Sequence, residues 1–209
     1  MARRLILATQ NEHKVREIRE LLSDLHVEVA HLGELEDPPE LTETGDTFAE
    51  NAREKALTCA VATGELSLAD DSGLMVDALG GEPGVRSARY AGEGASQQDL
   101  IDKLLRELDG VAFCDRGARF VCALSLCAPE GEIGQWEGRV EGIITLQPRG
   151  EGGFGYDPVF LYPPAEKTFA EMEPEAKNAV SHRGRALEKL RDDLPAMLSE
   201  LEAGSDGGR

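Results

Sequence analysis

The sequence predicts an α/β fold built on a mixed β-sheet, and three observations carry that prediction. Short apolar runs alternate with helix-period segments along most of the chain. Two long strand-like stretches are joined by a tight Pro129-Glu130-Gly131 turn. Crossover and hairpin connections therefore occur together, which favours a mixed sheet over a purely parallel one. With 209 residues, 41% of them hydrophobic, the chain suits one domain with a substantial core or two small lobes. No repeat and no separating linker is visible. One domain over residues 1–203 is expected, with a frayed tail over 204–209.

The elements follow in order. Arg4 to Ala8 is a short apolar run that reads as a strand, and Thr9-Gln10-Asn11 breaks it. A helix then runs to about Leu25, with Val15, Ile18, Leu21, Leu22 and Leu25 on one face. Thr47 opens a second helix, and Glu50 three residues on completes a capping box. Its apolar stripe is Phe48, Ala52, Ala56 and Ala60. Leu66 to Ala69 and Leu74 to Val76 read as two strand-like runs interrupted by Asp70-Asp71-Ser72-Gly73. Ser96 with Asp99 starts a third helix, which buries Leu100, Ile101, Leu104 and Leu108. The long strands are expected over Ala118 to Ala128 and Ile133 to Thr145. A glycine-rich loop covers Gly150 to Gly155, and Val159 to Tyr162 is a short strand. A last helix from about Ser181 carries Leu187, Leu190 and Leu194, and Pro195 is expected to kink or restart it.

Composition excludes several classes. No apolar stretch reaches membrane-spanning length, and Met1-Ala2-Arg3-Arg4 leads straight into a strand without a secretory segment, so a cytoplasmic protein is expected. A formal net charge of -18 repels nucleic-acid polymers. A small polyanion could bind only where cations are concentrated or a metal intervenes. Cys59, Cys114, Cys122 and Cys127 form no C-x-x-C pair, so buried free thiols are expected rather than zinc or redox chemistry.

Polar islands interrupt the apolar pattern. Asp70 and Asp71 at a strand end would point to opposite sides and need not share one task, and hard carboxylate oxygens suit Mg²⁺ bound to phosphates. Taken alone, the same four residues also read as a turn. Thr9-x-Asn11-x-x-Lys14 caps a helix whose free N–H groups favour an anion, and Lys14 in the first turn is adverse unless an anion meets it. An ordinary cap with a solvated lysine is the alternative. Asn51 and Lys55 share a helix face after Glu43-Thr44-Gly45; Lys55 either snorkels or reaches for a ligand. Gly150 to Pro158 places Phe154 and Tyr156 among glycines, suiting a base stacked beside backbone donors, although a structural turn would look similar. Lys177-Asn178-x-x-Ser181-His182-Arg183 sets cations at the positive end of a helix, again calling for an anion or carbonyl oxygen unless it is a surface cluster.

Taken together and in order, these islands resemble the inosine triphosphate pyrophosphatase family over Thr9 to about Leu187. The matching stretches are T-x-N-x-x-K, T-F-x-E-N-A-x-x-K-A, the block from Ala69 to Gly92, G-G-F-G-Y-D-P and S-H-R. The resemblance implies hydrolysis of non-standard purine nucleoside triphosphates such as ITP, dITP and XTP to monophosphate and pyrophosphate. It implies an elongated mixed sheet with flanking helices, two lobes and a central cleft, usually in a homodimer. By the same resemblance Asp71 is general base and Mg²⁺ ligand, and Glu43 is its metal partner. Some relatives carry a further acid where this chain has Thr42. Thr9, Gln10, Asn11, Lys14 and Lys55 would hold the triphosphate. Ser72, Phe154, Gly155, Tyr156, Asp157, Lys177, His182 and Arg183 would complete the pocket. Two rival readings are a pyrimidine triphosphate pyrophosphatase of the related septum-inhibitor family and a catalytically silent nucleotide sensor.

Overall fold

The computed structural model describes residues 3–23 and 27–206. Seven strands form one mixed sheet in the order β2-β1-β3-β4-β5-β6-β7. β1 (Arg3–Leu7) pairs in parallel with β2 (Val27–His31) and with β3 (Leu66–Val76). Every later pairing is antiparallel, through β4 (Gly117–Ala128), β5 (Gly131–Ile144), β6 (Phe160–Tyr162) and β7 (Lys167–Thr168). The mixed sheet is therefore as expected, with the parallel half at one edge.

Among the described residues five α-helices flank the sheet: α1 (Glu12–Leu21), α2 (Phe48–Thr63), α3 (Gln97–Glu107), α4 (Pro174–Val180) and α5 (His182–Asp206). Their starts follow local chemistry. The Asn11 side chain accepts from the backbone of His13 and Lys14, and Thr47/Glu50 and Ser96/Asp99 both form complete capping boxes. Ser181 Oγ accepts from the Gly184 amide at 3.0 Å and caps α5. That helix runs as one element through Pro195, so of the expected kink or restart the restart does not occur. Its described part ends at Asp206, within the segment expected to fray, and 207–209 lie outside the described residues. α1 ends at Leu21, earlier than expected, and Leu25 also lies outside the described residues.

The larger correction concerns β3. Asp70-Asp71-Ser72-Gly73 does not end a strand: β3 runs unbroken from Leu66 to Val76, with Asp70 opposite Leu124 and Asp71 opposite Ala123. Strand alternation then sorts the side chains. Leu66 and Leu68 face the core shared with Val15 and Ile18 of α1 and Leu187, Leu190 and Leu194 of α5. Ala69 faces the core shared with Ala56, Cys59 and Ala60 of α2. Asp70 therefore belongs to the α1/α5 side and Asp71 to the α2 side. A third cluster joins Leu74 and Val76 to Leu100, Ile101 and Leu104 of α3 and to Phe160 and Phe169.

Two glycines let other elements approach the sheet closely. A Cβ on Gly73 would lie 2.5 Å from the Gly84 carbonyl oxygen and from Ser87 Oγ, so its absence admits the 3-10 turn Gly84–Arg89. A Cβ on Gly138 would lie 2.1 Å from the His182 carbonyl oxygen, so its absence seats the start of α5 on β5. No helix among the described residues is long and apolar enough to cross a membrane.

Candidate active site

The mid-strand carboxylates of β3 are the floor of a cavity of about 730 Å³. That volume lies in the range of small-ligand pockets. Every residue assigned a site role from the sequence lines it, from Thr9, Gln10, Asn11 and Lys14 to His182 and Arg183.

On the α2 side, Lys55 is the centre. Its Nζ donates to Glu43 Oε1 and Asp71 Oδ1, each at 2.8 Å, and to the Asp70 carbonyl at 3.0 Å. Asn51, one turn earlier, donates to Asp71 Oδ2 at 3.2 Å. α2 thus delivers two donors to one carboxylate, and the shared face expected for Asn51 and Lys55 is present. Lys55 reaches inward and does not snorkel. Burial, reinforced by the charge of Glu43, pushes the Asp71 carboxyl upward against the pull of Lys55. Glu43 goes the other way. Its burial is outweighed by Lys55 and Arg89, which push it down to about 2. The same two carboxylates raise Lys55 against its own burial.

On the α1/α5 side, Asp70 is a fully paired anchor. Arg183 Nε donates to its Oδ2 at 2.8 Å, Cys122 Sγ to the same oxygen at 3.1 Å and Ser72 Oγ to its Oδ1 at 2.8 Å. Lys14 forms a short ion pair with Oδ1 and donates to the Asp70 carbonyl at 3.2 Å. Burial works to raise Asp70 but loses to Arg183 and Lys14, which hold it well below the usual carboxylate range. Because the Asp70 carbonyl receives both Lys14 and Lys55, the two lysines converge on one point of the floor.

Lys14 and Arg183 thus meet within the protein the anion that their adverse positions at helix starts called for. Asp70 already meets both. Arg183 is also paired with Glu17 of α1 through a short contact. His182 is not cationic either. Burial, then the neighbouring Arg183 charge, keep it well below the ordinary imidazole value, and its ring stacks on Phe120 at 4.8 Å. Among the described residues its Nδ1 is buried without a hydrogen-bond partner.

The glycine-rich loop divides its labour. The Phe154 ring lies in the cavity wall, stacked with His13 at 5.2 Å and with Lys177 Nζ 4.9 Å from its centroid. Tyr156 does not offer a stacking face beside it. It is buried, and its hydroxyl donates to the Ser87 carbonyl at 2.9 Å. Asp157 Oδ2 accepts from the Phe154 amide and from Lys177 Nζ, each at 2.8 Å, which fastens the loop. Burial raises Asp157 against the opposing Lys177 charge. Thr42 donates to Glu54 at 2.7 Å. Among the described residues the cysteines are free, but Cys114 is exposed, a correction to the expectation that all are buried.

Several contributors carry no role in the sequence reading. Glu17 sits three residues after Lys14 on α1, and that spacing is the signal that places both on one face. Arg89, inside the Ala69 to Gly92 block, donates to Glu43 Oε2 at 2.9 Å. Cys122 is visible only through the antiparallel register that sets it opposite Ser72.

Fold and cavity together define an α/β protein with a cation-lined cleft of nucleotide size. The chain belongs to the Ham1 family, whose model matches residues 5–193. It is 52% identical over 186 residues to the dITP/XTP pyrophosphatase of Bacillus licheniformis, covering 89% of this chain and 95% of that one. The dITP/XTP pyrophosphatase of Geobacter sulfurreducens is 51% identical, with coverage of 91% and 96%. Among solved structures, a HAM1 protein from Coxiella burnetii superposes with a TM-score of 0.86 at 43% identity, covering 93% of this chain and 99% of the other.

Proposed function

We propose that this chain is a nucleoside-triphosphate pyrophosphatase. It hydrolyses ITP, dITP and XTP to monophosphate and pyrophosphate and so removes deaminated purines from the nucleotide pool. The observation that carries this reading is the split of the Asp70/Asp71 pair. One carboxylate is consumed in anchoring cations, while the other is raised and held beside Lys55 at the cavity floor.

Asp71, the carboxylate of the pair that does not anchor the cations of α1 and α5, takes the proton of the water that attacks the α-phosphorus. Lys55 and Asn51 fix its orientation. Lys14 and Lys55 face the charge that accumulates on the leaving pyrophosphate. Glu43 and Asp71 meet at one ammonium, so their donor set, two hard carboxylates at one point, fits Mg²⁺. Glu43 and Asp71 would hold the ion, which would supply Lewis-acid polarisation. Among the described residues no cluster of three or more His, Cys, Asp or Glu is placed to hold a metal.

Phe154 is the aromatic assigned to the base, which would take the place of His13 or Lys177 against its ring. His182 lines the same cavity, whereas Nε and Nη1 of Arg183 are committed to carboxylates. Base reading is therefore assigned to His182 and backbone groups, with Arg183 as support. An unpaired buried polar group costs about 1–3 kcal/mol, enough for a ten- to hundredfold preference between a 6-oxo and a 6-amino purine. One domain over 1–203, a homodimeric assembly and a cytoplasmic setting complete this reading; the dimer rests on the family resemblance, the other two on the sequence pattern alone. The charge of -18 supports a nucleotide substrate over a nucleic-acid polymer.

The test is a hydrolysis screen of purine and pyrimidine nucleoside triphosphates with Mg²⁺, identifying both products. ITP and XTP should turn over well ahead of ATP, GTP and the pyrimidines. Preference for a pyrimidine, or binding without turnover, would replace this reading with one of its rivals.

A further inference from the structure

The cations of the cavity differ in how easily they can be redirected. Arg183 and Lys177 are each paired with two carboxylates, and their side chains are 2% and 7% exposed. Lys55 is 8% exposed and holds two carboxylates and a carbonyl. Lys14, at 15%, is locked to the fully buried Asp70. Arg89 stands apart. It is 35% exposed, reaches the cavity from the 3-10 turn that Gly73 admits, and uses one guanidinium nitrogen on Glu43 at 2.9 Å. Glu43 keeps Lys55 when Arg89 leaves, so the exchange strands no buried charge.

We propose that Arg89 is a further substrate-binding residue, the cation of this site that leaves Glu43 to grip the pyrophosphate end of the ligand. This rests on the pyrophosphatase reading above. A planar guanidinium with unused N–H donors suits two phosphoryl oxygens, and a pyrophosphate carries more charge than the single carboxylate it would replace. Glu43 is then a competitor that holds Arg89 in place until the anion arrives. Partial exposure of both groups keeps the exchange inexpensive, because the original ion pair is partly screened.

The proposal is tested by calorimetric titration of pyrophosphate, and separately of inosine, into the full chain in metal-free buffer with chelator. Arg89→Gln should weaken pyrophosphate by about ten- to hundredfold, the value of a charged hydrogen bond, and leave inosine unchanged. Arg89→Lys should recover part of the loss. Glu43→Gln removes the competitor and should tighten pyrophosphate, and adding Arg89→Gln to it should cancel that gain, which separates Arg89 from the Lys55 released by the same change. Unchanged pyrophosphate affinity in Arg89→Gln, or parallel loss of inosine and pyrophosphate, would overturn the proposal. A gain in Glu43→Gln that survives loss of Arg89 would overturn it too. Thermal denaturation of each variant checks that it is folded. If the wild type hydrolyses ITP while Arg89→Gln binds pyrophosphate normally, this inference fails and the pyrophosphatase reading stands; if the wild type turns over no triphosphate, that reading fails instead.

Discussion

At the scale of residues, adjacent aspartates of identical chemistry are driven apart by what alternation places beside them. Asp71→Asn should lower turnover by about 10²–10⁴-fold while leaving the fold intact, since an amide cannot accept the water's proton. Asp70→Asn should instead destabilise by about 3–5 kcal/mol, because Arg183 and Lys14 would lose a buried partner. Steady-state kinetics and urea denaturation on both variants separate the roles; near-full activity of Asp71→Asn would refute the assignment. His182 gives a second test with a definite sign. Its folded value is depressed, so below about 6.5 the unfolded chain binds a proton that the folded chain refuses. Stability should therefore decline as pH falls from that point, and His182→Asn should flatten the slope by up to about 1.4 kcal/mol per pH unit. Equal slopes in urea titrations of both proteins would contradict a buried neutral imidazole. The candidate residues were legible in the sequence because polar groups interrupted apolar runs and helix starts carried the wrong charge. Their partners were less so: Glu17 is marked only by its spacing of three from Lys14 on α1, while Arg89 and Cys122 meet the site through tertiary packing and sheet register, which no local spacing encodes.

At the scale of elements, the active centre depends on where three helices begin. Caps legible in the sequence fix the starts of α1 and α2, and those starts aim Lys14, Asn51 and Lys55 at the strand. The start of α5 depends on something the sequence conceals, the bare Cα of Gly138. Its added Cβ would meet backbone atoms, the His182 carbonyl oxygen at 2.1 Å and the Ala186 nitrogen at 2.5 Å, which cannot rotate aside. Gly138→Ala should therefore destabilise by about 1–3 kcal/mol, as overpacking does, despite alanine's lower entropy cost. It should also raise KM by displacing His182 and Arg183. Denaturation with ITP kinetics checks both, and an unchanged KM would show that α5 is not seated there. Long strands and capped helices were legible because their patterns span many residues. β2 and α4 were missed for the opposite reason: Val27–His31 is short with a glutamate inside it, and Pro174–Val180 has little apolar periodicity. The unbroken course of β3 was hidden because two carboxylates and a serine resemble a turn until their cationic partners are known.

At the scale of the whole molecule, a chain with a formal net charge of -18 gathers Lys14, Lys55, Arg89, Lys177 and Arg183 around a single cavity. Each is held there by a carboxylate from another element, so the folded state concentrates cations at one site without leaving them unpaired. The mixed character of the sheet could be inferred from connection types, whereas its order β2-β1-β3-β4-β5-β6-β7 depends on pairings far apart in the chain. The central claim is that these parts activate water against the α-phosphorus and release pyrophosphate intact. Hydrolysis of ITP in ¹⁸O-enriched water, followed by mass analysis of both products, tests it most directly. One pyrophosphate should form per monophosphate, with the label in the monophosphate alone. Label in the pyrophosphate, or orthophosphate released through a diphosphate, would contradict it.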